Sequence, residues 1–151
     1  MALIESSETA LYEALARINA ARRSGVRAHE EALVSALFET EQRLAVYVAR
    51  APARFDNHIL GRFAGQWGVA ILRGRLAPAT PWGSPFGFPA VVWDPAGDPV
   101  TVSVLRAPGI TAQWSLLDSF AEIGFLRTLA PCELASGEIV VANLYEPRKP
   151  A

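Results

Sequence analysis

Proline is distributed unevenly along this chain of 151 residues, and its distribution limits what each part can fold into. No proline precedes Pro52, and all eleven prolines lie from that residue onward. Proline breaks the interior of a helix and cannot donate a hydrogen bond to a β-sheet. Long helices are therefore favoured before Pro52, and short strands joined by shaped loops are favoured after it.

The first 40 residues have the periodicity of two helices. Leu11, Leu15 and Ile18 recur at helical spacing, and Gly25 is a suitable position for the helix to stop. A second helix is predicted over about residues 28–39, where alanine is again abundant. Its predicted apolar face consists of Leu33, Val34, Leu37 and Phe38.

Short apolar or alternating runs follow residue 43 and predict strands. Residues 44–48 form a short apolar run, typical of a strand buried on both faces, and residues 100–105 alternate as a half-buried strand does. Further strands are predicted at 67–76, 90–93, 126–134 and 138–145, the last two as a hairpin, and a short helix capped by Thr111 at 111–120. The sum is an α+β fold, a small mixed β-barrel or curled sheet with helices packed against it.

The length of the chain and the change of residue pattern after residue 42 predict one compact domain with additions at both ends. We expect an N-terminal helical extension over 1–42, a core domain over 43–146 and a flexible tail over 147–151.

Composition excludes several classes of partner. A net charge of −1 provides no basic excess for phosphates, so we expect no nucleic acid partner. No apolar stretch approaches the roughly 18 to 20 residues of a membrane span, and the N-terminus lacks the pattern of a signal peptide. One cysteine cannot form an internal disulfide framework. A cytoplasmic protein without a membrane partner is expected.

Common chemical motifs do not occur in this sequence. His29, His58 and Cys132 cannot build an ordinary zinc site without several carboxylates, so we predict neither a metal nor a cofactor. Cys132 is predicted to be a passive thiol. Asp118 and Glu122 are four residues apart and share a face if a helix extends that far. Both an acid–base pair and an exposed acidic edge remain open interpretations.

Several short segments follow one another in a distinctive order. They are Leu44-Ala45-Val46-Tyr47, Ala51-Pro52, Asn57-His58-Ile59-Leu60, Gly74-x-Leu76, Trp82-Gly83, Gly87-Phe88-Pro89-Ala90, Trp114-x-x-Leu117-Asp118-x-Phe120, Gly124-Phe125-x-Arg127 and Ala142-Asn143-Leu144-Tyr145. Their order and spacing over about residues 43–146 resemble the gamma-glutamylcyclotransferase-like family. The resemblance implies the fold of that family for this stretch and does not extend to the first 40 residues.

The resemblance also implies where a substrate would bind. In that family a Tyr-Gly-Ser-Leu turn cradles the gamma-glutamyl group through backbone atoms, and glycine permits this close approach. Here the corresponding turn is Tyr47-Val48-Ala49-Arg50. A β-branched side chain replaces the glycine, and a cation replaces an apolar anchor. The binding turn of the family is therefore altered.

The acid/base position of the family is altered as well. A glutamate after Leu-Asp-x-Phe there shuttles a proton while the substrate's α-amine attacks the γ-carbonyl and releases 5-oxoproline. Ala121 occupies that position here, and its methyl group carries no proton. Phe125 stands where a tyrosine is usual. The family resemblance therefore implies a pseudoenzyme.

The resulting expectation is a gamma-glutamylcyclotransferase-like protein without the usual catalytic glutamate. It would bind a small amino-acid-like or anionic ligand, or act as an accessory protein that meets a protein partner or a second copy through its N-terminal helices. The alternative is a divergent, active gamma-glutamyl-amine cyclotransferase with Glu122 as its acid/base. The predicted ligand-binding residues are Tyr47, Val48, Ala49, Arg50, His58, Phe125 and Arg127.

Overall fold

The computed structural model describes residues 2–47, 59–77, 89–120 and 124–148. Within these ranges the chain forms three α-helices, α1 (Ala2–Arg23), α2 (Glu31–Phe38) and α3 (Trp114–Phe120). Its six strands are β1 (Arg43–Val46), β2 (Gln66–Leu76), β3 (Val91–Trp93), β4 (Asp98–Arg106), β5 (Phe125–Leu134) and β6 (Ile139–Pro147). Short 3₁₀ turns occur at Thr40–Gln42, Ile59–Arg62 and Pro108–Gln113.

Five of the strands close into a barrel in the order β2-β4-β1-β6-β5. β5 returns to β2 through the pairs Ala70–Leu134 and Ile71–Glu133. The extra strand β3 pairs with the far end of β2. β1 and β6 run parallel, whereas the other pairings are antiparallel. The fold is therefore α+β with a mixed barrel, as the sequence predicts at this level.

Small and aliphatic side chains from every barrel strand fill the interior. Successive residues of a strand point to opposite faces, so these side chains alternate with others that point outward. The interior set comprises Ala45, Ala70, Leu72, Val102, Val104, Ala130, Cys132, Val140, Ala142 and Leu144. The alanines in this set allow the strands of a narrow barrel to close around a packed core.

α1 packs against the outer face of β5 and β6. Leu15 and Ile18, both with no exposed surface, contact a cluster that contains Leu129, Val141 and Val34 of α2. Burial of large aliphatic side chains stabilises such a contact by about 1.5–3 kcal/mol each. The N-terminal helices thus share a buried hydrophobic cluster with the barrel strands.

A side-chain amide joins α1 to β5. Asn19 donates to the carbonyl of Leu129 over 2.9 Å and accepts from its N–H over 2.8 Å. β5 meets β2 only near Leu134, so these two backbone groups have no strand partner on that side. Asn19 therefore supplies the hydrogen bonds that a neighbouring strand would otherwise make.

A second outer cluster covers the face of β1 and β4 opposite the barrel interior. The 3₁₀ turns and α3 contribute Leu60, Ile110, Trp114 and Leu117, which pack on Leu44, Val46, Leu105, Phe125 and Tyr145. No helix in the described ranges is both long and apolar enough to cross a bilayer.

Three details differ from the predictions. On α2, Val34 faces the core, but Leu33 and Leu37 are 63% and 69% exposed because only one side of this helix meets the barrel. Thr111 does not cap α3, because its hydroxyl lies in a 3₁₀ turn and donates to the carbonyl of Glu41. β6 continues to Pro147, which pairs with the first residue of β5.

Candidate functional site

A pocket of about 470 Å³ lies outside the barrel, between the N-terminal helices, α3 and the outward faces of β5 and β6. Volumes of this size are usual for small-molecule sites. Residues from the N-terminal segment form much of its wall: Arg22, Val26, Arg27, Glu31, Ser35, Thr40 and Glu41. The segment that lies outside the family resemblance therefore builds much of the pocket.

The end of α1 turns the chain into this pocket. Gly25 has a φ of +77°, and its N–H donates to the carbonyl of Arg22 over 3.1 Å. The N–H of Val26 donates to the carbonyl of Ala21 over 3.0 Å. These two bonds form a Schellman motif, in which glycine avoids the strain of a left-handed residue. The turn places Val26 and Arg27 in the pocket wall.

Asn143 organises the floor of the pocket. Its Oδ1 accepts from Arg22 over 3.1 Å and from Arg127 over 3.0 Å. Its Nδ2 donates to the carbonyls of Thr40 over 2.6 Å and Arg43 over 3.2 Å. An asparagine amide has two donors and one acceptor oxygen, and all of them are used here. Four hydrogen bonds therefore fix the side chain of Asn143 at the floor of the pocket.

Arg22 forms an ion pair and a backbone hydrogen bond within the pocket wall. Its guanidinium contacts Glu31 over 2.6 Å, and the two side chains are 14% and 12% exposed. A further bond of 3.2 Å reaches the carbonyl of Arg127. Burial lowers the pKa of Arg22 from its ordinary value, and Glu31 acts in the opposite direction. A nearly buried ion pair of this kind costs several kcal/mol to break from one side.

Arg127 lies between an aromatic ring and a carboxylate. Its guanidinium carbon is 4.4 Å from the ring centre of Trp114, and its Nε is 2.9 Å from Oδ1 of Asp118. The hydroxyl of Tyr145 donates to the same oxygen over 2.6 Å. Burial, and then Asp118, raise the pKa of Tyr145 above its ordinary value. Asp118 is thus occupied by two donors.

Glu41 differs from the other acidic side chains of the pocket. Its backbone carbonyl is fixed by the indole of Trp114 over 2.8 Å and by the hydroxyl of Thr111 over 3.2 Å. Its Oε2 is buried and accepts no hydrogen bond from any residue that the structure describes. The backbone of Glu41 is therefore held in place, while its Oε2 has no donor among the described residues.

The structure brings together two of the predicted ligand-binding residues. Phe125 and Arg127 both line the pocket. Tyr47 follows β1 and packs against the cluster that fills the barrel, on the opposite side of the strand. The remaining predicted site residues lie outside the described residues: Val48, Ala49, Arg50, His58, Glu122 and Ala121, which holds the family's acid/base position.

Sequence reasoning missed Asn143, Arg22 and Glu41. Asn143 carried a usable signal, because it is a polar residue within the apolar run 139–145 of a strand. Arg22 and Glu41 resemble ordinary charges at the ends of helical segments, and only the folded chain brings them into one pocket.

Cys132 is buried, and burial raises the pKa of its thiol to about 12, so it is not a reactive nucleophile at neutral pH. Among the side chains the structure describes, no three of His, Cys, Asp or Glu are grouped as ligands for a metal ion.

The pocket as a whole is suited to binding a small polar molecule. Its floor is a fixed hydrogen-bonded network, and exposed Arg27 and Arg148 stand in its wall. Comparison of the chain with protein-family models, with curated proteins and with solved structures gave no match.

Proposed function

We propose that this chain is a non-catalytic small-ligand-binding protein of the gamma-glutamylcyclotransferase-like type. The observation that carries the proposal is the pocket of about 470 Å³, whose charged floor is fixed before any ligand arrives. Preorganised polar groups lose little entropy on binding, so they favour recognition of small ligands. The closed mixed barrel is the α+β architecture that the sequence predicts, and the family itself remains part of the proposal.

Two observations support a binding role over catalysis. Ala121 stands at the position that resembles the family's acid/base, and a methyl group moves no proton. The carboxylate of Asp118, three residues earlier in the sequence, accepts hydrogen bonds from Arg127 over 2.9 Å and from Tyr145 over 2.6 Å, so a ligand would meet it already engaged by two protein donors. Loss of general acid–base catalysis lowers a rate by about 10²–10⁴.

An anionic or amino-acid-like ligand suits the pocket. Arg27 is exposed at its wall and forms no ion pair with a described residue. An arginine guanidinium binds carboxylates through paired hydrogen bonds. Arg27 is therefore the first residue to test as an anion contact.

A titration tests this proposal. Glutamate and 5-oxoproline are added to the labelled protein while amide shifts are followed by NMR. We expect saturable shifts around the pocket and about a 3- to 10-fold weaker affinity in Arg27→Ala. Arg17→Ala is the matched control, because Arg17 lies on α1, pairs with Glu30 and is not part of the pocket wall. No shifts with either compound would contradict the proposal.

An activity assay tests the alternative of a divergent cyclotransferase. We expect no release of 5-oxoproline from gamma-glutamyl amines. Turnover that Glu122→Gln abolishes would instead establish an active enzyme, with Glu122 as its acid/base.

A second candidate function is an interaction module, and one observation favours it. Leu33 and Leu37 are exposed and four residues apart, so they share one face of α2. Sizing over a range of concentrations tests it, with Leu33→Ser/Leu37→Ser as the variant. Association that the double substitution removes supports contact through this helix, and a monomer at all concentrations excludes self-association through it.

A further inference from the structure

Most charges of the pocket cancel in pairs. Arg22 pairs with Glu31 over 2.6 Å, and Arg127 pairs with Asp118 over 2.9 Å. Three of these four side chains are less than a quarter exposed. A ligand that used either arginine fully would have to break its ion pair, and for the enclosed Arg22–Glu31 pair that cost is large. We therefore treat these two ion pairs as fixed parts of the pocket wall and not as groups that bind the ligand.

Glu41 and Arg27 remain outside these pairs. Both line the pocket, and neither forms an ion pair within the described part of the chain. Glu41 is partly buried, whereas Arg27 is exposed. Among the described residues of the wall, Glu41 thus offers a negative group without an ion pair in a more enclosed position, and Arg27 offers a positive group without one in a more open position.

One oxygen of the Glu41 carboxylate, Oε2, has lost water without gaining a donor within the described part of the chain. No described residue donates a hydrogen bond to this buried oxygen, and the backbone of Glu41 is fixed by Trp114 and Thr111. A charge that is partly desolvated and unpaired is unfavourable until a donor arrives. An ammonium group is well suited, because hydrogen bonds between two charged groups are about twice as strong as neutral ones.

We infer that the ligand of this pocket is dipolar, with a cationic amine that binds the carboxylate of Glu41 and an anionic group that binds Arg27. The inference rests on the proposed function, in which this pocket binds a small molecule. It adds the requirement for an amine and identifies the residue that recognises it. The enclosed position of Glu41 implies that the amine end enters first.

Matched pairs of small molecules test the requirement for an amine. The probes are 4-aminobutyrate, 5-aminopentanoate and 6-aminohexanoate, each compared by NMR titration with the carboxylate of equal chain length that lacks the amine. Three lengths are used so that one can span both groups. We expect at least one amino compound to bind about tenfold more tightly than its partner.

Two variants connect this preference to Glu41. Glu41→Gln keeps the shape of the side chain and removes its charge, and we expect it to abolish the preference for the amine. Glu30→Gln removes the same charge from a carboxylate that pairs with Arg17 and lies outside the pocket wall, so it should keep the preference. A preference that persists in Glu41→Gln would overturn the inference.

Other outcomes distinguish a failure of this inference from a failure of the proposed function. If each pair of probes binds equally to the wild-type protein, the dipolar ligand is wrong while a binding pocket for anions stands. If these probes, glutamate and 5-oxoproline all fail to bind, both are overturned. Thermal unfolding is an independent check: Glu41→Gln should raise the midpoint because it removes an unpaired charge, and a lower midpoint would contradict the premise.

Discussion

Asn143 links two parts of the chain that are far apart in sequence. Its side chain bonds to Arg22 at the end of α1 and to Arg127 at the start of β5. It is 1% exposed, and its donors satisfy two backbone carbonyls. A buried amide with every group paired specifies one arrangement of its neighbours, because any other leaves polar atoms without partners. One side chain thus fixes the floor of the pocket.

Cys132 leads to a prediction about alkaline pH. Burial raises the pKa of its thiol from 9.0 to about 12, so the folded state keeps a proton that the unfolded state loses. This contribution to stability is complete below pH 9 and is lost as the pH rises toward 12. Between pH 8 and pH 10 the wild-type protein should lose about 1.4 kcal/mol more unfolding free energy than Cys132→Ala.

Urea unfolding of both proteins at the two pH values measures this difference. The comparison cancels Tyr12 and Tyr145, whose pKa values are also raised and which both proteins retain. Equal losses in the two proteins would show that the thiol reaches solvent in the folded state.

Residue-scale features were only partly predictable. Phe125 and Arg127 were predicted as ligand-binding residues; both line the pocket, and their role in binding stays a prediction. Sequence reasoning did not identify Arg22 or Glu41, because their roles depend on partners that are distant in the sequence, such as Asn143 for Arg22. A charge at a helix end is usually solvated, and nothing local marks the exceptions.

Two glycines determine how closely β2 approaches β3 and the turn before β4. A Cβ on Gly74 would lie 1.9 Å from the carbonyl oxygen of Val92, and a Cβ on Gly97 would lie 2.7 Å from Cα of Gly74. Gly74 pairs with both Trp93 and Asp98 in the sheet. The close contact at Gly74 therefore sets the separation of β2, β3 and β4. Neither glycine backbone can move without breaking hydrogen bonds between these strands.

Substitution of glycine on β2 should depend strongly on position. Gly74→Ala should lower the unfolding free energy by about 3 kcal/mol or more, because the new methyl group overlaps a backbone atom. Gly68→Ala is the matched control on the same strand, since no atom lies within 4 Å of its Cβ. It should change stability by about 0.5 kcal/mol or less. Urea unfolding measures both, and similar effects would contradict the predicted clash.

Most of the helices and strands could be predicted from the sequence, because the patterns that indicate them are local. Alternation over residues 100–105 predicted β4, and the turn near Gly137 predicted the β5–β6 hairpin, because period-two patterns and turn residues act locally. The inward face of α2 was predicted too broadly. Leu33 and Leu37 are as apolar as Val34, and only the position of the barrel decides which of them are buried.

At the scale of the whole molecule, α1 holds the barrel and the pocket together. Arg23 contacts Glu146 over 2.9 Å, and the other oxygen of Glu146 accepts from the N–H of Trp93 over 3.2 Å. α1 thereby reaches both β6 and β3. The sequence predicted this helix but not its contacts with β3 and β6. An amphipathic pattern shows that a helix has an apolar face, but it does not show which elements that face contacts.

A chain that lacks residues 1–30 should therefore fail to fold cooperatively. The truncation removes Leu15 and Ile18, each of which contributes about 1.5–3 kcal/mol by burial. It also removes the two hydrogen bonds between Asn19 and the backbone of Leu129, each worth about 0.5–1.5 kcal/mol. Together these losses approach the roughly 5–15 kcal/mol of stability that a whole domain has.

Circular dichroism during urea unfolding, together with sizing, measures the effect of this truncation. The control is the full chain with Leu33→Ser/Leu37→Ser, which changes exposed side chains of the same N-terminal segment and should alter stability by about 1 kcal/mol or less. A sharp transition of the truncated chain at the wild-type urea midpoint would show that the barrel does not need α1. A broad transition or aggregation would instead locate part of the core in the N-terminal helix, because the outer faces of β5 and β6 are apolar wherever α1 covers them.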